Sequence, residues 1–281
     1  MGNSSMKLAA VVLVFKEEPF LIPVLAGIYT AVDIICVVTA YDRNFKGEYI
    51  APDQTVPKLL DFPDPENKLR FVLRRNLESL PGKESESKLR NAAIFQAPEA
   101  DYYLIVDSDE IWETKVLEEA WRYVQETHKA GYRVNSCYYF KKWNLRGRGG
   151  EGDGYRPFVF LKKGFLFEKH RNISWRCPAR YLEYLRTGRK PKTVYMPKQF
   201  YLHHGSGVGD DERMKTKLGN YGHADEVDPK WFDEVWLDPP ATNARHYMHG
   251  DILLYEKLQH IATANLPKEI RGHAWPKGWI E

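Results

Sequence analysis

Apolar residues in the first 110 positions fall into short unbroken runs, separated by stretches that are apolar on one face only. Leu8 to Phe15 is β-branched and continuous, which predicts a strand buried on both faces. Pro19 suits the first turn of a helix reaching about Tyr29, and Asp33 to Thr39 predicts a second buried strand. Arg43 to Asn67 is proline-rich and reads as a long surface excursion, and Leu69 to Leu73 as a third strand. Ser85 to Ala97 places Leu89, Ala92, Ala93 and Ala97 on one helical face. Tyr102 to Val106 is another buried strand, and Thr114 to Ala130 an amphipathic helix stopped by Gly131. Such alternation predicts an open, mostly parallel sheet with helices on both faces.

Beyond Arg133 the texture changes. Strands are predicted at Val134 to Phe140, Pro157 to Leu161 and Thr193 to Leu202, and helices near Asp211 to Tyr221 and Asp251 to Ala262. Trp143 to Tyr155 holds five glycines and no apolar period, so it reads as a loop. The chain divides into a core over 6–205 and a C-terminal helical extension over 206–281 packed on it.

Composition narrows the classes. With 43% hydrophobic and 28% charged residues over 281 positions, a sizeable core forms without disulfide or structural metal. A net charge of +3 excludes a histone-like polybasic protein. Cys36, Cys137 and Cys177 are odd in number and lack zinc-like spacing, which points to a reducing, cytoplasmic setting. Leu8 to Phe15 is too short to span a bilayer and runs into Lys16-Glu17-Glu18 without a cleavage site. No membrane span is expected.

The most informative segment is Asp101 to Glu110, where a buried strand ends in Asp107-Ser108-Asp109-Glu110. Three carboxylates within four residues repel unless positive charge lies among them. Open α/β sheets bind ligands beyond the carboxyl ends of their strands, where these residues fall. Hard divalent ions such as Mn²⁺ or Mg²⁺ prefer oxygen ligands and leave room for phosphate oxygens. The alternative is an acidic strand-to-helix turn, with Asp109 or Glu110 favouring a helix start.

At this point the chain resembles glycosyltransferases of the GT-A fold, particularly the large family 2 group and relatives. Ala10-Val11-Val12-Leu13-Val14-Phe15-Lys16-Glu17-Glu18-Pro19 looks like their first strand and donor-binding loop. Lys88-Leu89-Arg90-Asn91-Ala92-Ala93 and the strand ending at Asp109 resemble the elements around their Asp-x-Asp motif. His203-His204-Gly205-Ser206 and Met214-Lys215-Thr216-Lys217-Leu218 resemble the histidine and helix that close the site. The likeness covers about residues 8–223, and its central block is the specific part. The acidic pair that many relatives carry after the second strand is replaced by Thr39-Ala40-Tyr41-Asp42.

The resemblance implies transfer of a sugar from a nucleotide-sugar donor, UDP-sugars favoured, to a glycan or other hydroxyl-bearing acceptor. Asp109, Asp107, His203 and His204 are the candidate ligands of Mn²⁺ or Mg²⁺, with Asp107 alternatively on the ribose. Phe15, Glu17, Asp42, Lys88, Asn91, Asp107 and Ser108 are candidate donor contacts, with Ser108 also readable as a turn residue. An inverting reaction also needs a carboxylate to take the acceptor's proton, and the glycine-rich loop offers Glu151 and Asp153. Trp143, beside that loop, is the candidate sugar-stacking platform. Two other readings stay open: metal-dependent nucleotidyl transfer, and a non-enzymatic carbohydrate- or nucleic-acid-binding module. The latter rests on Lys141-Lys142-Trp143-Asn144-Leu145-Arg146, which also admits a nucleic-acid acceptor.

Overall fold

A computed structural model describes residues 6–16, 18–40, 49, 51, 54–74, 82–147, 156–173, 178–188, 192–220, 226–238 and 258–281. The first half runs β1 (Leu8–Val14), α1 (Glu18–Ile28), β2 (Ile34–Ala40), α2 (Thr55–Leu60), β3 (Leu69–Arg74), α3 (Gly82–Ile94), β4 (Tyr102–Asp107), β5 (Glu110–Ile111) and α4 (Thr114–Thr127). It continues with β6 (Gly131–Arg133), β7 (Asn135–Gly147), β8 (Phe158–Lys162), β9 (Phe167–Lys169), β10 (Asn172–Ile173) and α5 (Pro178–Thr187). The last described elements are β11 (Thr193–Tyr195), β12 (Tyr201–Val208), α6 (Asp211–Asn220), β13 (Leu258–His260) and α7 (Lys268–Arg271).

The main sheet has seven strands in the order β11-β6-β8-β4-β1-β2-β3. It is parallel throughout except at β8, which runs antiparallel to both β4 and β6. The fold is α/β with a mostly parallel central sheet and helices on both faces. Alternation along β1 shows why its whole run is apolar. Leu8, Ala10, Val12 and Val14 enter one core with Phe20 and Val24 of α1 and Leu117 and Val124 of α4. Ala9, Val11 and Leu13 enter the other with Leu89 and Ala93 of α3. Leu266, Ile270 and Trp279 near the C-terminus join the first of these cores.

A second sheet, β13-β7-β12-β5, starts where β4 ends. Glu110 and Ile111 leave the main sheet and pair antiparallel with His204 and His203 of β12. Ser108 and Asp109 are therefore the turn that joins the two sheets. The main sheet changes direction of growth at β1, with β2 on one side and β4 on the other. That switch point is where such sheets open a crevice.

Four expected elements differ. The strand expected over Thr193 to Leu202 breaks at residues 196–200 into β11 of the main sheet and β12 of the second. Residues 258–260, expected inside a helix, form an edge strand on β7, because a non-local partner overrides local helix preference. Thr55–Leu60 is helical within the stretch expected to be irregular. Trp143 lies within β7 rather than in a loop, fully buried. Its ring packs on Tyr139 at 4.9 Å, Trp275 at 5.1 Å and Phe20 at 5.9 Å, so it is a core residue and not a sugar platform. Among the described residues no helix is long and apolar enough to cross a membrane.

Candidate active site

A pocket opens over the carboxyl ends of β1 and β4. Phe15, Lys16, Asp107, Ser108 and Asp109 line it from the sheet, Glu86 and Arg90 from α3, and Arg213, Thr216, Lys217 and Asn220 from α6. The α6 residues recur at helical spacing and so share one face. Asp210 fixes the start of this helix, its Oδ1 accepting the Arg213 N–H at 2.8 Å. Lys16 closes the β1 end in the left-handed region at φ 47°.

The carboxylates are held by basic side chains distant in sequence. Arg90 donates to Asp107 Oδ1 at 2.8 Å, and its other terminal nitrogen reaches Glu86 at 3.1 Å. Arg171, on the tight β9–β10 turn, lies 2.8 Å from Asp107 Oδ2 and donates to Glu110 Oε2 at 2.6 Å. Both arginines are almost fully buried. Lys217 donates to Asp109 Oδ2 at 2.5 Å, and His204 Nε2 stands 3.4 Å from Asp109 Oδ1. Behind them His170, beside Arg171, meets Glu86 through Nδ1 at 2.5 Å.

Ionisation follows this geometry. Burial alone would raise the Asp107 pKa, but Arg171 and then Arg90 outweigh it and hold the carboxyl far below the usual range. Asp109 behaves alike: burial opposes ionisation, while Lys217 and His204 overcome it and hold the pKa well below 3.8. Glu110 goes the other way, raised by burial and by nearby Asp107, with Arg171 offsetting only part. For His170, burial lowers the pKa and Arg90 and Arg171 add to that, against the pull of Glu86.

The structure separates the expected residues. Neighbours on a strand face opposite sides, so His203 and His204 cannot both meet Asp109. His204 does. His203 instead lies between Tyr139 Oη at 2.6 Å (through Nδ1) and Glu113 Oε1 at 3.1 Å (through Nε2), away from the pocket. Asn91 is engaged with the Phe167 backbone, donating to its carbonyl and accepting its N–H, which anchors α3 to β9. Lys88 is exposed and does not line the pocket. Phe15, Asp107, Ser108 and Asp109 are brought together, with the Ser108 N–H donating to the Leu13 carbonyl at 3.1 Å. Glu17, Asp42, Glu151 and Asp153 lie outside the described residues.

The sequence reading missed Arg171 and Lys217 as partners of the acidic turn, and Glu86 as the partner of Arg90. Lys217 carried a signal, since it falls in the quoted helix; Arg171 carried none.

The donor set suits a hard cation only in part. Asp109 Oδ1 and His204 Nε2 converge, and His204 Nδ1 is buried with no hydrogen-bond partner among the described residues. Two protein ligands suffice for an ion that takes its remaining oxygens from phosphate and water. Asp107 fits direct ligation poorly, because each of its oxygens meets an arginine. Among the described residues no three ligating side chains are gathered into a ready-made cage. A second cavity of about 400 Å³ is lined by Arg171 together with Arg133, Phe158, Glu168, Lys169 and Asn172.

No family model matches the chain, and no curated protein matches it. Solved structures do. Residues 1–349 of S. aureus TarS in complex with UDP are 22% identical over 47% of this chain and 36% of that one, with a TM-score of 0.37. Glucosyl-3-phosphoglycerate synthase from Mycobacterium tuberculosis, in complex with Mn²⁺, UDP and phosphoglyceric acid, is 16% identical over 72% of each chain, with a TM-score of 0.42. A further mycobacterial protein is 15% identical over 72% of this chain and 68% of that one, with a TM-score of 0.43. The present chain spans about a third of the TarS fragment.

Proposed function

We propose that this protein is a glycosyltransferase that moves a sugar from a nucleotide-sugar donor to a hydroxyl acceptor, with inversion at the anomeric carbon. UDP-sugars are the first donors to test. The observation that carries the reading is the convergence of Asp109, His204 and Lys217 at the switch point of the main sheet. There the turn after β4 and helix α6 line one pocket, and His204 of β12, outside that lining, reaches Asp109 at 3.4 Å.

Departure of a nucleoside diphosphate leaves negative charge on its terminal phosphate, and this pocket is built to receive charge. Lys217 supplies a nearly buried ammonium, with Thr216 and Asn220 as neighbouring donors on α6 and Lys16 at the β1 end. Asp109 and His204 would hold a Mn²⁺ or Mg²⁺ ion, which when bound supplies Lewis-acid neutralisation of the diphosphate. A carboxylate accepts about four hydrogen bonds, and Asp107 offers those its arginines leave to a donor hydroxyl, so we assign it to the ribose or sugar. Arg90 and Arg171 fix its rotamer in advance.

Glu151 and Asp153 supply the candidate base that takes the acceptor's proton. The cavity beyond Arg171 is the candidate acceptor side, where Arg133, Lys169 and Arg171 outnumber the acid Glu168 and suit an acceptor with negative charge. The expected boundary between 6–205 and 206–281 falls inside β12, so in this reading both segments build one catalytic unit, α6 contributing Lys217.

A hydrolysis screen of UDP- and GDP-sugars with and without EDTA tests the reading. EDTA-sensitive release of a nucleoside diphosphate from one donor is expected. Release of pyrophosphate instead would point to nucleotidyl transfer, and binding without turnover to a passive module.

A further inference from the structure

We infer that α5 is an interfacial anchor, a short amphipathic helix whose apolar side enters the headgroup region of an anionic lipid surface. Tyr181, Leu182, Tyr184 and Leu185 are 61, 63, 47 and 60% exposed. At roughly 100° per residue these four cover one continuous arc on the order of 160° wide. A surface helix ordinarily turns such an arc into the core. Here every described side chain of the helix is exposed instead.

Charge selects the occupant. The stretch 176–192 carries six basic residues and one acidic, while the whole chain has a net charge of only +3. Arg186, one turn beyond Leu182, and Lys192 are exposed in that stretch. Tyrosine beside leucine with arginine and lysine is the composition that settles at a lipid headgroup boundary, ring and aliphatic carbon inward, hydroxyl and cation outward. Ten residues reach about 15 Å, half a bilayer's hydrocarbon thickness, so the helix lies in the plane of the interface and does not span it. Binding needs both the apolar arc and the basic charge, because neither suffices alone. The inference stands apart from sugar transfer and survives if that reading fails.

Flotation of the full chain with phosphatidylcholine vesicles, with and without phosphatidylserine, tests it. The protein should float with the anionic vesicles on the order of tenfold more than with neutral ones, and high salt should release it. A Tyr181→Ser/Leu182→Ser/Leu185→Ser variant should keep the wild-type circular dichroism and lose flotation. The single Arg186→Glu variant, which leaves the apolar arc intact, should weaken it. No flotation of the wild type, or equal flotation of the triple variant, overturns the proposal. So does a lipid-independent dimer that the triple variant abolishes, which would give this face to a second copy.

Discussion

Lys217 on α6 places its ammonium 2.5 Å from Asp109 Oδ2, across 108 residues of chain and inside the pocket rim. In the proposed reading a fixed cation there meets the donor's diphosphate. Lys217→Met leaves the buried Asp109 with His204 as its remaining basic partner, so it should lose about 3 kcal/mol of stability and also weaken binding of UDP on the order of tenfold, the worth of one charge-assisted hydrogen bond. The rise in melting temperature with UDP reads this out, because a ligand stabilises according to its affinity for the folded state. An undiminished rise would remove Lys217 from the donor site.

The two neighbouring histidines should separate cleanly. His203 bridges Tyr139 and Glu113 in a buried setting, so His203→Ala should lower the unfolding free energy by about 1–3 kcal/mol with donor affinity near normal. His204→Ala should do the reverse: little change in urea unfolding, and loss of metal-dependent donor turnover. Matching phenotypes would contradict the placement of β12.

Asp107 sets a pH-dependent term. Its pKa is lowered in the fold, so its stabilisation is complete above the ordinary value of 3.8 and fades as pH falls toward the folded value. Asp107→Asn should therefore be less stable than wild type by roughly 3 kcal/mol at neutral pH, the lower end for a broken buried pair. The low end applies because Arg90 keeps Glu86 and Arg171 keeps Glu110. The gap should narrow as pH drops below about 3.8. Urea unfolding of both proteins across that range measures it; a constant gap would mean the arginines do not hold the ionised form.

Gly205 follows His204 and donates its N–H to the Asp109 carbonyl at 2.8 Å. A Cβ there would come within 2.5 Å of the Phe20 ring and 2.7 Å of the Trp143 ring, both fully buried. Gly205→Ala should destabilise by about 1–3 kcal/mol through overpacking, and should disturb the Asp109–His204 pair as the strand shifts. Wild-type stability would show the aromatic cluster to be looser than its packing implies.

The sheet and its helices were readable in the chain because burial on both faces leaves an unbroken apolar run, as in Leu8–Val14 and Tyr102–Val106. Periodicity likewise marked α3 and α4. The site was half readable. Asp107 and Asp109 stood out as clustered like charge, and the expected remedy was a metal. The structure supplies Arg90, Arg171 and Lys217, two of them 61 and 108 residues from the acid they meet, a pairing that no local period announces. The choice between His203 and His204 was available from strand alternation. The burial of Trp143 was not, because it depends on Trp275 and Trp279 returning from the far end of the chain.

Calorimetric titration of UDP into wild-type and Asp109→Ala protein, each with Mn²⁺ and with EDTA, asks whether Asp109 holds a metal that binds the diphosphate. The account predicts binding to the wild type with Mn²⁺, at least an order of magnitude weaker binding in EDTA, and no Mn²⁺ effect in the variant. UDP binding that ignores both Mn²⁺ and the loss of Asp109 would contradict it.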